Sequence, residues 1–161
     1  MKKRKYILIS MLFTIILFVT TPFIIASIAN NISLYEFARQ LDSLDSIGGV
    51  TFLEKQTICG KLNGSGNGMG FLACSLVKSE LPLDDLYIAY AKIEFKTVKE
   101  SSNNNVYFEV VEVDQSFLQT KYLEHNKIEF NSLKNKDNIT NFYALIIYDD
   151  GYQAGFDIRG H

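Results

Sequence analysis

A basic cluster followed by a long apolar run at the amino terminus limits what this chain can fold into. Residues 2–5 are all Lys or Arg, and residues 6–29, YILISMLFTIILFVTTPFIIASIA, contain no charged side chain. About 20 apolar residues in a helix cross the hydrocarbon core of a bilayer, and a small domain cannot cover a helix that is apolar on every face. The sequence therefore predicts a cytoplasmic tail at 1–5, a transmembrane segment at 6–29 and a separate domain at 30–161.

Two interpretations of residues 6–29 remain open. The run is longer than the roughly 7–15 apolar residues in the core of a signal peptide, which favours an uncleaved signal anchor. Ser27 and Ala29, however, are small residues at the −3 and −1 positions of a signal-peptide cleavage site. The basic residues before the run place the amino terminus in the cytoplasm and the domain outside. We therefore expect a single-pass protein of the cell membrane or, alternatively, a protein secreted after cleavage near Ala29.

The charge of the domain excludes one class of partner. The chain has 16 basic and 18 acidic residues, but four of the basic ones lie in the tail and no acidic residue precedes Glu36, so residues 30–161 carry a net charge of −6. Nucleic-acid affinity comes mainly from neutralising phosphates with Lys and Arg. We therefore expect no nucleic-acid partner. The expected partners are the lipid bilayer, through residues 6–29, and an envelope protein.

Hydrophobic periodicity in the domain favours an α+β fold. Residues 31–46 are predicted to form an amphipathic helix and residues 82–92 a second helix. The apolar stripe of the first helix consists of Leu34, Phe37, Leu41 and Leu44. Strands are predicted at 50–59, 69–78, 92–98, 106–113 and 127–131. The predicted fold is an amino-terminal transmembrane helix followed by a small domain, in which an antiparallel sheet has two helices packed on one face.

Near the carboxyl terminus, the dipeptide Asp150-Gly151 lies between two β-type runs. This pattern is typical of a type I′ hairpin turn, because Gly adopts a positive φ at little cost. In that register Leu145 would face Phe156 across the hairpin.

The stretch CGKLNGSGNGMGFLAC at 59–74 contains five of the ten glycines. It fails the dinucleotide and P-loop patterns, because position 69 is Met and Gly60-Lys61 is followed by Leu62. A turn between two strands explains the glycines, and the alternative is a loop whose backbone contacts a ligand or partner. The candidate contact residues are Lys61, Asn63, Gly64, Ser65, Gly66, Asn67 and Gly68.

The same stretch contains both cysteines of the chain. A hairpin symmetric about residues 66–67 would place Cys59 opposite Cys74, within reach of a disulfide. An exported domain lies in an oxidising compartment, which favours the bridge. The alternative is two buried free thiols. The spacing matches neither a redox Cys-x-x-Cys motif nor a zinc site.

No catalytic constellation is visible in the sequence. His125 has no second His or Cys at metal-ligand spacing, and His161 is the last residue. We therefore predict no metal site, no cofactor and no catalytic residue. The predicted function is a membrane-anchored extracytoplasmic binding or assembly domain. The alternative is an exported enzyme or ligand-binding protein that uses the glycine-rich loop at 60–70.

Overall fold

The computed structural model describes residues 2–44, 48–62, 68–99, 104–122, 127–134, 136 and 139–161. The helices are α1 (Lys2–Asp42), α2 (Leu83–Tyr90) and α3 (Gln115–Gln119). The strands are β1 (Val50–Gly60), β2 (Met69–Ser79), β3 (Tyr107–Glu112) and β4 (Phe142–Tyr152). Short 3₁₀ helices occupy Asn131–Leu133 and Ile158–Gly160. The predicted helix at 82–92 and the predicted strands at 50–59, 69–78 and 106–113 are confirmed as α2, β1, β2 and β3.

The long helix α1 joins two elements that the sequence predicts separately. Its side chains from residue 4 to residue 21 are all exposed, whereas its second half packs on the sheet with the predicted apolar stripe buried. Pro22 lies inside the helix, where this change of environment begins. Within the described residues, α1 is the one helix that is long and apolar enough to cross a membrane, as an anchor or as a signal sequence.

The strands of the described residues form one antiparallel sheet in the order β1-β2-β4-β3. The central strands β2 and β4 are buried on both faces, so each face needs a cover. The second half of α1 and α2 cover one face, next to Phe71, while α3 and residues 128–133 cover the other, next to Leu72. The two predicted helices therefore pack on one face, and α3, a third helix that the sequence analysis does not predict, contributes the buried Phe117 to the opposite face.

The predicted hairpin turn at Asp150-Gly151 is wrong. Strand β4 continues through both residues to Tyr152, and Leu145 lies opposite Ser75 and not opposite Phe156. One extra residue of β4 is accommodated between the pairs Met69–Tyr152 and Phe71–Asp149, which is a β-bulge. Gly151 has a φ of 85° at this bulge, so its backbone freedom bends a strand and does not reverse the chain.

Two further strand predictions, 92–98 and 127–131, are wrong because side chains satisfy the backbone there. The amide of Gln40 pairs with Lys96 on both sides: Lys96 N donates to Oε1 over 2.6 Å and Nε2 donates to Lys96 O over 3.0 Å. The carboxylate of Glu54 accepts bonds from Asn131 N and Ser132 N, at 3.0 and 2.9 Å. These bonds replace the strand pairing that the alternating sequence suggests.

Candidate functional site

The carboxyl-terminal segment, residues 153–161, folds back against α1. It meets the helix at the end of the bare part of α1, which consists of the exposed residues 4–21. The rings of Phe23 and Phe156 meet edge to face, with their centroids 5.4 Å apart. Along the helix, the half-buried residues nearest to this contact are Pro22, Ala26, Ser27 and Asn30. The stripe that they form continues into the buried stripe of the domain core, so the domain contacts α1 on both sides of Ala29.

Arg159 makes the polar part of this junction. Its Nη1 donates to Asn31 Oδ1 over 2.7 Å, and its Nη2 donates to the carbonyl oxygen of Ser27 over 3.2 Å. The guanidinium also binds Asp157 in two places, Nε to Oδ1 at 2.9 Å and Nη2 to Oδ2 at 2.6 Å. A paired guanidinium and carboxylate of this geometry is among the stronger charged contacts in proteins.

Asp157 is fully buried, and its charge is compensated locally. The hydrogen bond from Arg159 is the largest influence on the carboxyl group and, with a bond from Asn30, holds its pKa at about 2 against the effect of burial. Bonding to Asp157 in turn raises the pKa of Arg159. The pair therefore stays ionised near neutral pH and joins the last turn of the chain to α1.

The two described ends of the glycine-rich loop, Lys61 and Gly68, are bonded to this carboxyl-terminal segment. Lys61 N donates to the carbonyl oxygen of Arg159 over 2.7 Å, and Gly68 N donates to that of Gly160 over 3.1 Å. A Cβ on Gly68 would lie 2.9 Å from Tyr152 O, and one on Gly160 would lie 2.5 Å from the Cβ of Ala154. Both glycines therefore allow a close approach of backbones, which accounts for part of the glycine excess in this stretch.

The predicted ligand-contact residues divide into two groups. Lys61 and Gly68 are at the base of the loop, where their backbone N–H groups are bonded to the carboxyl-terminal segment. The others, Asn63, Gly64, Ser65, Gly66 and Asn67, lie outside the described residues. Contact between this loop and a ligand or partner stays a prediction.

The disulfide prediction is wrong. Cys59 lies opposite Phe71 and Cys74 opposite Gln56, so the β1–β2 register is shifted by three residues from the predicted one. An odd shift sends the two side chains to opposite faces of a sheet. Cys59 accordingly packs with the face that α1 covers and Cys74 with the face that α3 covers. Both thiols are free and buried, and burial raises the pKa of each.

Asp149 is a second fully buried carboxylate, away from the junction. Its Oδ2 accepts bonds from the Tyr152 hydroxyl at 2.5 Å and from Val98 N at 2.7 Å. Its Oδ1 has no hydrogen-bond partner among the described residues. The carboxylate holds the backbone at Val98 against the sheet.

The surface of the described residues carries shallow cavities of about 380, 380 and 270 Å³. Neither Lys61 nor Gly68 lines any of the three. Across the described ranges, no three His, Cys, Asp or Glu side chains are grouped so as to hold a metal ion.

Comparison with protein families, with curated proteins and with solved structures found no match. The architecture of the chain is a long helix, apolar in its first half, that continues into a small α+β domain with an antiparallel sheet. The feature that sequence reasoning missed is the junction of Asp157 and Arg159 with α1. The only sequence signal for it is a charged pair two residues apart near the carboxyl terminus, and Asn30, which completes it, lies 127 residues away from Asp157.

Proposed function

We propose that the chain is a single-pass membrane protein whose domain, residues 30–161, binds or assembles with an envelope protein outside the cytoplasm. The observation that carries the proposal is the packing of the domain against α1 on both sides of Ala29. Cleavage at that position would remove Phe23 and the Ser27 carbonyl, which contact Phe156 and Arg159. These contacts favour a retained anchor over a cleaved signal peptide.

The length of the bare part of α1 supports the same conclusion. Residues 4–21 are exposed throughout. The uncharged ones among them, residues 6–21, extend over roughly 24 Å at about 1.5 Å per residue, most of the hydrocarbon thickness of about 30 Å. The domain therefore begins to cover the helix about one turn before the far side of a bilayer core that starts at Tyr6.

Charge supports the proposed orientation. The basic residues at 2–5 favour a cytoplasmic amino terminus, with the acidic domain on the other side of the membrane. The cysteines do not oppose this location, since two buried thiols on opposite faces of a sheet are protected from forming a bridge.

A binding role is supported by the outer surface of α2. Leu83, Tyr87 and Ile88 are exposed on this short helix although its inner residues Leu86 and Tyr90 are buried. Adjacent exposed apolar side chains on a small domain are typical of a surface that contacts another protein. The alternative function, an exported enzyme or ligand-binding protein that uses loop 60–70, has less support because both described ends of the loop are bonded to residues 159 and 160.

The anchor is tested by the intact mass of the protein recovered from the membrane fraction of its host. We expect a mass that includes residues 1–29 and resistance to extraction at alkaline pH. A mature chain that begins at Asn30 would contradict the anchor.

The binding role is tested by a photo-crosslinking amino acid placed at Ile88 in the full chain. The matched control is the same amino acid at Leu53, an exposed apolar residue on β1. We expect a discrete heavier adduct from position 88 and none from position 53. Absence of an adduct at position 88 would contradict binding through α2.

A further inference from the structure

We infer that the domain itself enters the bilayer interface, through Phe156 and Ile158 on the carboxyl-terminal segment. The inference rests on the proposed membrane anchor and adds a second point of contact with the lipid. The juxtamembrane patch is defined here as Phe23, Phe156 and Ile158. Its expected occupant is the boundary between lipid headgroups and acyl chains.

The carboxyl-terminal segment exposes two apolar side chains and buries a charged one. Phe156 is 57% exposed and Ile158 is 72% exposed, while Asp157 between them is fully buried. Arg159, the next residue, directs its guanidinium at α1 and Asp157. A segment in contact with water normally exposes its charges and buries its aromatic and aliphatic residues. The reversed arrangement suits an apolar surrounding.

The juxtamembrane patch is also continuous with the apolar helix. Phe156 touches Phe23, which lies two residues beyond the bare part of α1 that ends at residue 21. If the hydrocarbon core begins at Tyr6, about 30 Å of helix ends near Ile25, and Phe23 lies within about 5 Å of that boundary along the helix axis. The Phe156 ring is then at the depth where interfacial residues bury their apolar faces in the acyl boundary.

Hydrogen bonds also attach the carboxyl-terminal segment firmly at two places. Arg159 bonds Ser27 and Asn31 on α1, and Gly160 O accepts a bond from Gly68 N at the base of the β1–β2 loop. The segment is thus fixed both to the helix and to the sheet. The patch therefore keeps a fixed position relative to α1.

The chain contains no tryptophan, so a single introduced Trp reports on its own position. The experiment compares four single-Trp variants of the full chain in vesicles of brominated phosphatidylcholine, which quenches Trp by contact with the acyl chains. The test positions are Phe156→Trp and Ile158→Trp. Phe18→Trp, in the bare part of α1, reports insertion of the helix. Leu53→Trp is the control outside the membrane, since the nearby Lys55 pairs with Asp42, about 28 Å beyond Phe23 along α1.

We expect Trp at 156 and 158 to be quenched several-fold more than Trp at 53, and Trp at 18 to be quenched most strongly. Quenching at 18 with no more quenching at 156 and 158 than at 53 would overturn the inference and leave the anchor standing. No quenching at 18 would overturn both the anchor and the inference that rests on it.

Discussion

Asn30 on helix α1 donates a hydrogen bond from Nδ2 to Oδ2 of Asp157, over 2.9 Å and across 127 residues of sequence. Together with Arg159, this bond fastens the end of the chain to the point where the apolar helix enters the domain. The attachment of the carboxyl terminus to α1 therefore depends on a few charged and amide side chains. The contribution of each to stability can be measured by single substitutions.

Arg159→Ala is expected to lower the free energy of unfolding by about 2–4 kcal/mol, because it leaves the buried Asp157 carboxylate without its cation. The measurement is urea denaturation of the detergent-solubilised chain. Arg39→Ala is the matched control, since the Arg39–Glu36 pair is exposed on both sides and should contribute less than about 1 kcal/mol. Equal small losses in the two variants would show that the junction does not stabilise the domain.

The stability of the domain is expected to fall in acid because of Asp157 and Glu54. Hydrogen bonding from Arg159 lowers the pKa of Asp157 from 3.8 to about 2. Burial opposes ionisation of Glu54, but bonds from Ser132, Asn131 and Gln56 together lower its pKa from 4.5 to about 2.

Since both pKa values are lower in the folded state, the unfolded chain binds more protons over this range. The stabilisation is complete above about pH 4.5 and is lost as the pH falls toward 2. Denaturation curves between neutral pH and pH 2 measure it. Asp157→Asn and Glu54→Gln should each flatten the profile, and a profile that neither substitution changes would contradict the assignment.

Gly68→Ala and Gly160→Ala are each expected to destabilise the domain by about 1–3 kcal/mol, because the new methyl group meets Tyr152 O in one case and Ala154 Cβ in the other. Gly48→Ala is the control, as a Cβ there has no atom within 4 Å. Thermal unfolding followed by circular dichroism compares the three. Since Gly→Ala by itself restricts the unfolded chain and favours folding, a control variant as unstable as the other two would contradict the steric clash as the cause.

The two thiols are expected to be free and poorly reactive. A maleimide should label Cys59 and Cys74 slowly in the folded chain and completely after unfolding, because both side chains are buried and burial raises the pKa of each thiol. A reducing agent should leave the melting temperature unchanged. If the unfolded chain is labelled only after reduction, the cysteines form a disulfide and the expectation of free thiols is contradicted.

Local patterns were sufficient for the elements that depend on one apolar stripe. The spacing of Leu34, Phe37 and Leu41 predicts the buried face of α1, and the apolar runs of β1, β2 and β3 predict those strands. These patterns report directly on which side chains leave water, so they hold wherever the element packs.

The errors arise where the sequence allows two local answers and distant pairing chooses between them. A positive φ at Gly151 serves a hairpin turn as well as a bulge, and the pairing of β4 with both β2 and β3 selects the bulge. The β1–β2 register depends on the length of the loop between the strands, which the glycines do not fix. A shift of three residues in that register puts Cys59 and Cys74 on opposite faces of the sheet. The junction could not be predicted because the partners of Asp157 and Arg159 lie at the other end of the sequence.

Helix α1 has no break between its bare part and the part packed in the domain. A tilt of the bare part would therefore move the domain with it. From Pro22 to Asp42 the helix extends about 30 Å into the domain. A helix tilt of about 20°, which is ordinary in bilayers, would displace the far end of that arm by roughly 10 Å sideways. The thickness of the bilayer would therefore set how the surface of α2 is presented to a partner, without any change within the domain.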